Sequence, residues 1–451
     1  MRTVILSDLH LGNGGPYDIF AGDEELTALV DSLTSEPHRV VLNGDTFDFL
    51  LNEDPLGLDA VRAVGQARAL VAHPPTAHVM AALGRVLRAG GEVLITLGNH
   101  DLELALPEVQ DVFRAALQQP AALAGKLSFP VGTAPLLLQV GGATVLIAHG
   151  EQADDMNRVD VETLSAPPDA SHPFHYPPGS LLVKTLLNPL KRRENMRYMD
   201  LLKPDFEGAV LTALGVNPVA VRVVLDRRTL ELLQRTLKRR ELAPAYAEGD
   251  EAARAWEGLG SRIAEAGLTE PEAEAISRQL EDSRLEAFGA SELLERARLK
   301  LLRVGLKWQA WPHRRVLGSR GVEYFAHMPT STELAEARRL ARKYQARAVV
   351  VGHTHSARWQ EEEGWVFANT GTWIWLLRMP APEASTDDWA DFLLELQDNP
   401  SLEPRRQKHA RTERHLTCVV IEPAHPDGAT MRLAEWTERT LHTLHEAPLR
   451  P

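Results

Sequence analysis

Asp8 and His10 stand two positions apart, just after the apolar run Val4-Ile5-Leu6. Side chains two apart in a strand share a face, so this carboxylate and this imidazole can converge on one point. Both are good ligands for Mn, Fe or Zn. Alone, the pair reads more simply as a turn aspartate beside a surface histidine. Repetition changes that. Apolar runs end in ligand-type residues at Asn43-Gly44-Asp45-Thr46-Phe47-Asp48, Gly98-Asn99-His100-Asp101, His149-Gly150 and Gly352-His353-Thr354-His355. Core packing gives no reason for strand after strand to deliver Asp, Asn or His at its carboxyl end. Glycine beside the ligands lets the backbone turn tightly and approach closely. The pattern predicts a metal site assembled from strand ends.

The elements that must carry these residues follow from periodicity. Asp23 to Ser35 reads as a helix with Leu26, Leu29, Val30 and Leu33 on one face, and Thr76 to Leu87 as another. Residues 50–75 between them look irregular. Strand and helix thus alternate through the first three ligand runs, the pattern of a layered α/β fold with its site at strand ends. A further helix is expected at about Glu108 to Leu117. Leu136–Val140 and Ala143–Ile147 then form a hairpin across Gly141-Gly142, so the strand before His149 runs antiparallel to its predecessor.

From about Asp155 the character changes. Ala166 to Pro178 is a loop rich in Pro, Ser and His, and the charged stretch beyond it reads as mostly helical. Thr229 is a helix cap there, and Thr269-Glu270-Pro271-Glu272 a capping box. The expected division is a core of residues 1–155 and 328–451, with a helical cap inserted at 156–327. Ser331 to Gln345 returns to the core as a helix. Strands follow at the Trp365–Trp373 run, Leu416–Ile421 and Ala429–Leu433, while Ala381 to Arg414 has no readable conformation.

At 451 residues the chain can bury a large core and hold a second domain or insertion. Its net charge of −13 argues against a general binder of polyanions. The single cysteine, Cys418, lies in an apolar run and reads as a buried thiol, in keeping with a reducing, cytoplasmic setting. The apolar start is too short for a secretory signal, and no run approaches the roughly 18 residues that cross a bilayer.

Taken together, Asp8-x-His10, Gly44-Asp45-x-x-Asp48, Gly98-Asn99-His100-Asp101, His149-Gly150 and Gly352-His353-x-His355 resemble the calcineurin-like metallophosphoesterase superfamily, block for block and in order. The resemblance covers about residues 1–155 and 330–375. It implies a four-layer αββα sandwich holding two divalent cations, Mn2+ first, with Fe, Zn or Ni as alternatives. By that likeness Asp8, His10, Asp45 and His355 hold one metal. Asp45 bridges to a second, held by Asn99, His149 and His353. His100 resembles the catalytic histidine and Asp48 the carboxylate that orients it, while Asp101 supports the turn.

Two cations about 3.5–4 Å apart can share a hydroxide that attacks phosphorus in line, and they screen the ester's negative charge. His100, with no metal assigned, is placed to bind a phosphoryl oxygen or protonate the departing alkoxide. The expected activity is hydrolysis of a small phosphoester, pyrophosphate or nucleotide-type substrate. A nuclease is the alternative, set back by the acidic balance; a metal-free scaffold is set back further, because the whole ligand set is present. Ser7-Asp8-Leu9-His10-Leu11 and the Asp154-Asp155 pair are similar to the bacterial UDP-2,3-diacylglucosamine pyrophosphohydrolase branch. That branch carries Arg where this chain has His100, and a far smaller cap.

The remaining candidates are weaker. Lys184, Lys191, Arg192, Arg193, Arg197 and Lys203 lie beside several leucines. They read either as a solvated helix face or as a basic surface for an anionic substrate group, with Lys184, Arg192, Arg193 and Arg197 as the contacts. Peripheral membrane contact through the cap belongs to the second reading. Glu151, Asp154 and Asp155 read as a solvated loop, with one of them reaching the metals or a substrate group as the alternative. His38, His73, His78, His172, His175, His313 and His327 read as surface residues, and Trp308, Trp311, Trp373 and Trp375 as packing.

Overall fold

The computed structural model describes residues 1–15, 18–117, 125–132, 134–154, 157–165, 174–194, 331–377, 386–399, 412–424 and 427–450, with the single positions 269, 271, 300 and 329. The chain divides into two compact units, one of residues 1–180, 324–375 and 414–451, the other of 181–323 and 376–413.

The first unit holds two sheets. In chain order the larger uses β1 (Arg2–Leu6), β2 (His38–Asn43), β3 (Glu92–Thr96) and β4 (Leu127–Ser128), then β12 (Thr417–Pro423), β13 (Ala429–Thr437) and β14 (Thr440–Leu449). Its spatial order is β14-β13-β12-β1-β2-β3-β4. β1 to β4 are parallel, and β12 joins β1 antiparallel. The second sheet has the order β5-β6-β7-β9-β8, from β5 (Leu136–Val140), β6 (Ala143–Ile147), β7 (Ala348–Val351), β8 (Ala357–Glu362) and β9 (Trp365–Thr370). β5 and β6 form the expected hairpin, while β6, β7 and β9 run parallel.

Both faces of the central strands are buried, which is why they read as unbroken apolar runs rather than alternating ones. Ile5 and Val41 point between the sheets to meet Val145, Ile147 and Val350. Val4, Leu6, Val40 and Leu42 point the other way, onto helices α1 (Asp23–Ser32), α2 (Ala60–Ala72), α3 (Pro74–Arg88) and α4 (Pro107–Ala116). On the far side, Leu146, Val349 and Phe367 pack against Ala337 and Ala341 of the helix Ser331–Tyr344. The layers therefore run helix, sheet, sheet, helix. Parallel and antiparallel pairing coexist in both sheets.

Several local expectations change. Residues 50–75, which look irregular in sequence, contain α2, whose start is fixed by the Asp59 side chain accepting from Arg62 N at 2.8 Å. Its small residues Ala63 and Ala67 face the core and give a faint apolar stripe. His38 is buried, not exposed: it opens β2, and its Nδ1 lies 2.8 Å from Glu36 O. Cys418 is buried as expected, and burial pushes its thiol up to about 12.

The second unit contains the helical turns Val183–Leu187 and Asn188–Glu194, a short antiparallel pair of β10 (Leu376–Leu377) and β11 (Thr412–Glu413), and the helix Thr386–Asp398. That helix lies within Ala381 to Arg414, which had no readable conformation. Most of the expected cap, with the Thr229 helix, the helix after Thr269, Lys203, His172, His313, His327, Trp308 and Trp311, lies outside the described residues. Among the described residues no helix is long and apolar enough to cross a membrane.

One packing contact ties the helices to the ligand loop. Phe47, between Asp45 and Asp48, stacks on Phe113 of α4 with centroids 3.9 Å apart, and Phe49 meets the same ring edge-on at 6.5 Å. All three rings are buried. Phe113→Ala should cost roughly 3–5 kcal/mol. Denaturant unfolding checks it, and a loss below about 1 kcal/mol would show that the anchor carries little.

Candidate metal centre

The ligand loops begin where β1, β2, β3, β6 and β7 end, and their backbones are strained in a common way. Asp8, His10, Asp45, His353 and His355 all have positive φ, between 48° and 68°. Non-glycine residues rarely adopt that conformation, and it costs energy that the surroundings must hold in place. Here they do so with hydrogen bonds between loops. Asp8 N and His10 N donate to Gly44 O and Asp45 O at 3.2 and 2.9 Å. Phe49 N donates to His100 O at 3.1 Å, and Trp373 N and Thr372 Oγ1 donate to Asp8 O at 3.1 and 2.8 Å. Gly44 itself has φ 77°, and a Cβ there would collide with the His149 ring. At Gly352 a Cβ would strike Ser7 and Asp8, so the two halves of the site touch only because that residue has none.

The loops bring three groups of side chains together. Asp8, His10, Asp45 and His355 form one, and Asp45, His149 and His353 another, the potential ligand atoms of each lying within 4.8 Å of one another. Asp45 belongs to both. Its Oδ2 is 3.3 Å from His149 Nε2 and 3.9 Å from His10 Nε2, while its Oδ1 accepts from His100 N at 2.8 Å. The third group is His10, Asp48 and His100. There Asp48 Oδ2 accepts from His10 Nδ1 at 2.7 Å and from His100 Nδ1 at 3.0 Å, and Oδ1 accepts from Leu50 N at 3.0 Å.

The residues present suit divalent cations. His10 Nδ1 and His149 Nδ1 each face an acceptor, Asp48 and the Asn43 carbonyl at 2.9 Å, which turns both Nε2 lone pairs inward. His149 Nε2 and Asn99 Oδ1 are buried with no well-aligned hydrogen bond among the described residues. His10 Nε2 and His355 Nε2 lie 3.0 Å apart, and His355 Nε2 is 3.3 Å from Asp8 Oδ1. Such a set of inward lone pairs and buried carboxylates needs positive charge among it.

The electrostatics agree. Burial pushes the Asp45 carboxyl up, but the charges of His149 and His100 outweigh it and hold Asp45 well below the carboxylate range. Asp8 is raised by burial and lowered by its hydrogen bond and charge interaction with His355, ending at about 2. Asp48 is likewise drawn far down, against burial, by His100 and His10. Asp101 goes the other way, to about 7, through burial and the nearby Asp45 charge. It accepts from Gly98 N at 2.6 Å and Thr46 N at 2.8 Å, so it braces two ligand loops.

Sequence reasoning missed part of the surroundings. Glu151 is buried and Asp154 reaches a candidate ligand, His353, so neither is a merely solvated loop residue; Asp155 lies outside the described residues. Ser7 bonds both Asp8 and Thr370. Asn369 donates to Gly352 O at 2.7 Å. Asn369-Thr370-Gly371 follows an apolar run just as the ligand motifs do, and that was the available signal. Of the basic candidates, Lys184, Arg192 and Arg193 lie in the second unit and Arg197 outside the described residues, so their part in substrate binding is a proposal only.

Residues 1–195 match the family model described as calcineurin-like phosphoesterase. The domain marks a phosphoesterase enzyme. Divalent metal ions are the cofactors that this domain and the clustered Asp and His side chains support. No curated protein matches the chain.

Without a bound cation, burial pushes His149 down but the Asp45 carboxylate pulls it well above the usual histidine value, which favours a proton on the ring. A cation must displace it. Mn2+ affinity should therefore weaken as pH falls, by about tenfold per pH unit for each proton released. Calorimetry in buffers of different ionisation enthalpy checks this; identical heats in all of them would contradict it.

Proposed function

We propose that the chain hydrolyses a small phosphoester or pyrophosphate at a two-cation centre. Asp8, His10, Asp45 and His355 would hold one ion, and Asp45, Asn99, His149 and His353 the other. The observation that carries this reading is Asp45 Oδ2, a buried carboxylate oxygen between two histidine nitrogens of different groups. When bound, two divalent cations (Mn2+ first, then Fe, Zn or Ni) would supply charge against the phosphoryl oxygens and acidify a water toward neutral pKa.

The chain's own residues supply the rest. Asp48 fixes the Nδ1–H of His100, which makes Nε2 the atom that meets a phosphoryl oxygen or gives a proton to the leaving alkoxide. The same Asp48 oxygen fixes His10, so the acid and the first ligand set are held by one carboxylate. Gly44, Gly98 and Gly352 keep the loops close enough for all of this. A cavity of about 220 Å³ borders Asp48 and is lined by Asn52, Asp54, Arg62 and Gln66 together with the apolar Phe49 and Leu70. The net charge of −13 also favours a small substrate over a nucleic acid. His100 favours a broader phosphodiesterase or phosphomonoesterase over the pyrophosphohydrolase branch, where Arg takes its place.

The test is turnover of phosphodiester, phosphomonoester and nucleotide-pyrophosphate substrates by Mn2+-loaded protein. Asp45→Asn should abolish activity by releasing metal, seen directly as lost Mn2+ binding. His100→Ala should keep both metals yet lower kcat roughly a hundredfold or more. Unchanged turnover in that variant would remove His100 from the mechanism, and strong cleavage of single-stranded DNA would put a nuclease first.

A further inference from the structure

Asp154 and Asn157 lie outside all five ligand runs, yet they contact two ligands of the second cation. His353 Nε2 is 3.0 Å from Asp154 Oδ2. That oxygen also accepts from Asn157 Nδ2 at 2.8 Å. Asn157 Oδ1 in turn lies 3.5 Å from Asn99 Nδ2. A polar arc therefore runs from His353 through Asp154 and Asn157 to Asn99.

We infer that Asp154 and Asn157 are positioning residues for the second cation, a reading that rests on the two-cation centre proposed above. A neutral imidazole carries one proton, and the nitrogen that keeps it cannot bind metal. With Nε2–H given to Asp154, Nδ1 is the nitrogen of His353 that faces the ion. His10 and His149 are set by the same device in the opposite sense, each giving Nδ1–H to Asp48 or to Asn43 O. Each of these histidines thus has one nitrogen committed to the protein.

Asn99 poses the matching problem for an amide. Its NH2 group points to Asn157, which turns the carbonyl oxygen the other way. That oxygen, Oδ1, is buried and has no hydrogen-bond partner among the described residues. An amide whose orientation is fixed presents an acceptor to the cation, and a flipped one would present a donor.

The loop is built to hold the arc. After His149, Gly150 takes φ 118° and opens the turn Glu151–Ala153. Asn157 N and Arg158 N both donate to Asp154 O, at 3.1 and 2.8 Å. Val159 then packs with Leu102 and Leu164 in a small apolar cluster. The loop that leaves one ligand strand is thereby anchored, and it returns a carboxylate to a ligand 199 positions away in sequence.

The experiment is Mn2+ titration of the full chain by calorimetry, with metal content per chain counted independently. Asp154→Ala should weaken one of the two Mn2+ sites roughly 10–100-fold and leave the other within about twofold. Asp154→Asn should keep most of the affinity, because its amide oxygen can accept the same Nε2–H. Asn157→Ala should weaken the same site as Asp154→Ala. Imidazole nitrogen NMR of the Zn2+-loaded protein should show His353 protonated at Nε2 and metal-bound at Nδ1, a signature that needs no variant to fold. Unchanged affinities in Asp154→Ala, or His353 bound through Nε2, would overturn the assignment. Equal losses in Asp154→Asn and Asp154→Ala would overturn it too, by making Asp154 a direct ligand. Failure of the unaltered protein to take up two Mn2+ would instead remove the two-cation reading itself.

Discussion

A single carboxylate oxygen, Asp45 Oδ2, is the point on which the centre turns. It is buried between nitrogens of His10 and His149, with Asp8 and Asp48 also buried close by. Ionised carboxylates packed this way repel one another and have lost their water, a combination that is costly unless positive charge is shared among them. Without bound cations, the proton that Asp45 favours on His149 meets part of that need. Divalent cations would meet it more fully, and would return that histidine to the neutral form in which it can act as a ligand. The same electrostatics that would destabilise an empty site thus create its affinity.

Holding these groups together also requires a backbone under strain. Five candidate ligand residues carry positive φ, a conformation that no local preference of Asp or His would sustain across so many positions. The compensation is global. Two sheets share an apolar interior, and layers of helices fix their outer faces, so the strand ends cannot drift apart. Phe47 extends that rigidity into the Asp45–Asp48 loop by stacking on α4. Trp373 and Thr372, from the far end of the chain, clamp the Asp8 carbonyl.

The second ring of contacts shows a division of labour. Asp48 serves a candidate metal ligand and the proposed acid with one oxygen, which couples their orientations. Asp101 binds no candidate ligand side chain and braces backbone amides instead. Asp154 holds a histidine and an amide. Carboxylates of the same type thus do different work according to which hydrogen-bond donors surround them.

Much of the site was legible because β strands announce themselves chemically. Apolar runs with both faces buried, followed by Asp, Asn or His and a nearby glycine, marked the α/β class and the candidate residues that the fold gathers at strand ends. The weak stripe of α2 hid that helix, since Ala63 and Ala67 bury little apolar surface. His38 looked polar in its local context and is buried only through what packs around β2. Periodicity reports which way a side chain faces, but not what it meets. That His353 N donates to Asp8 across 345 positions, and that Asp154 and Ser7 bond candidate ligands, was decided when the two sheets closed on one another. Distance along the chain carries no energy; distance through space carries nearly all of it, and only the folded molecule sets that distance.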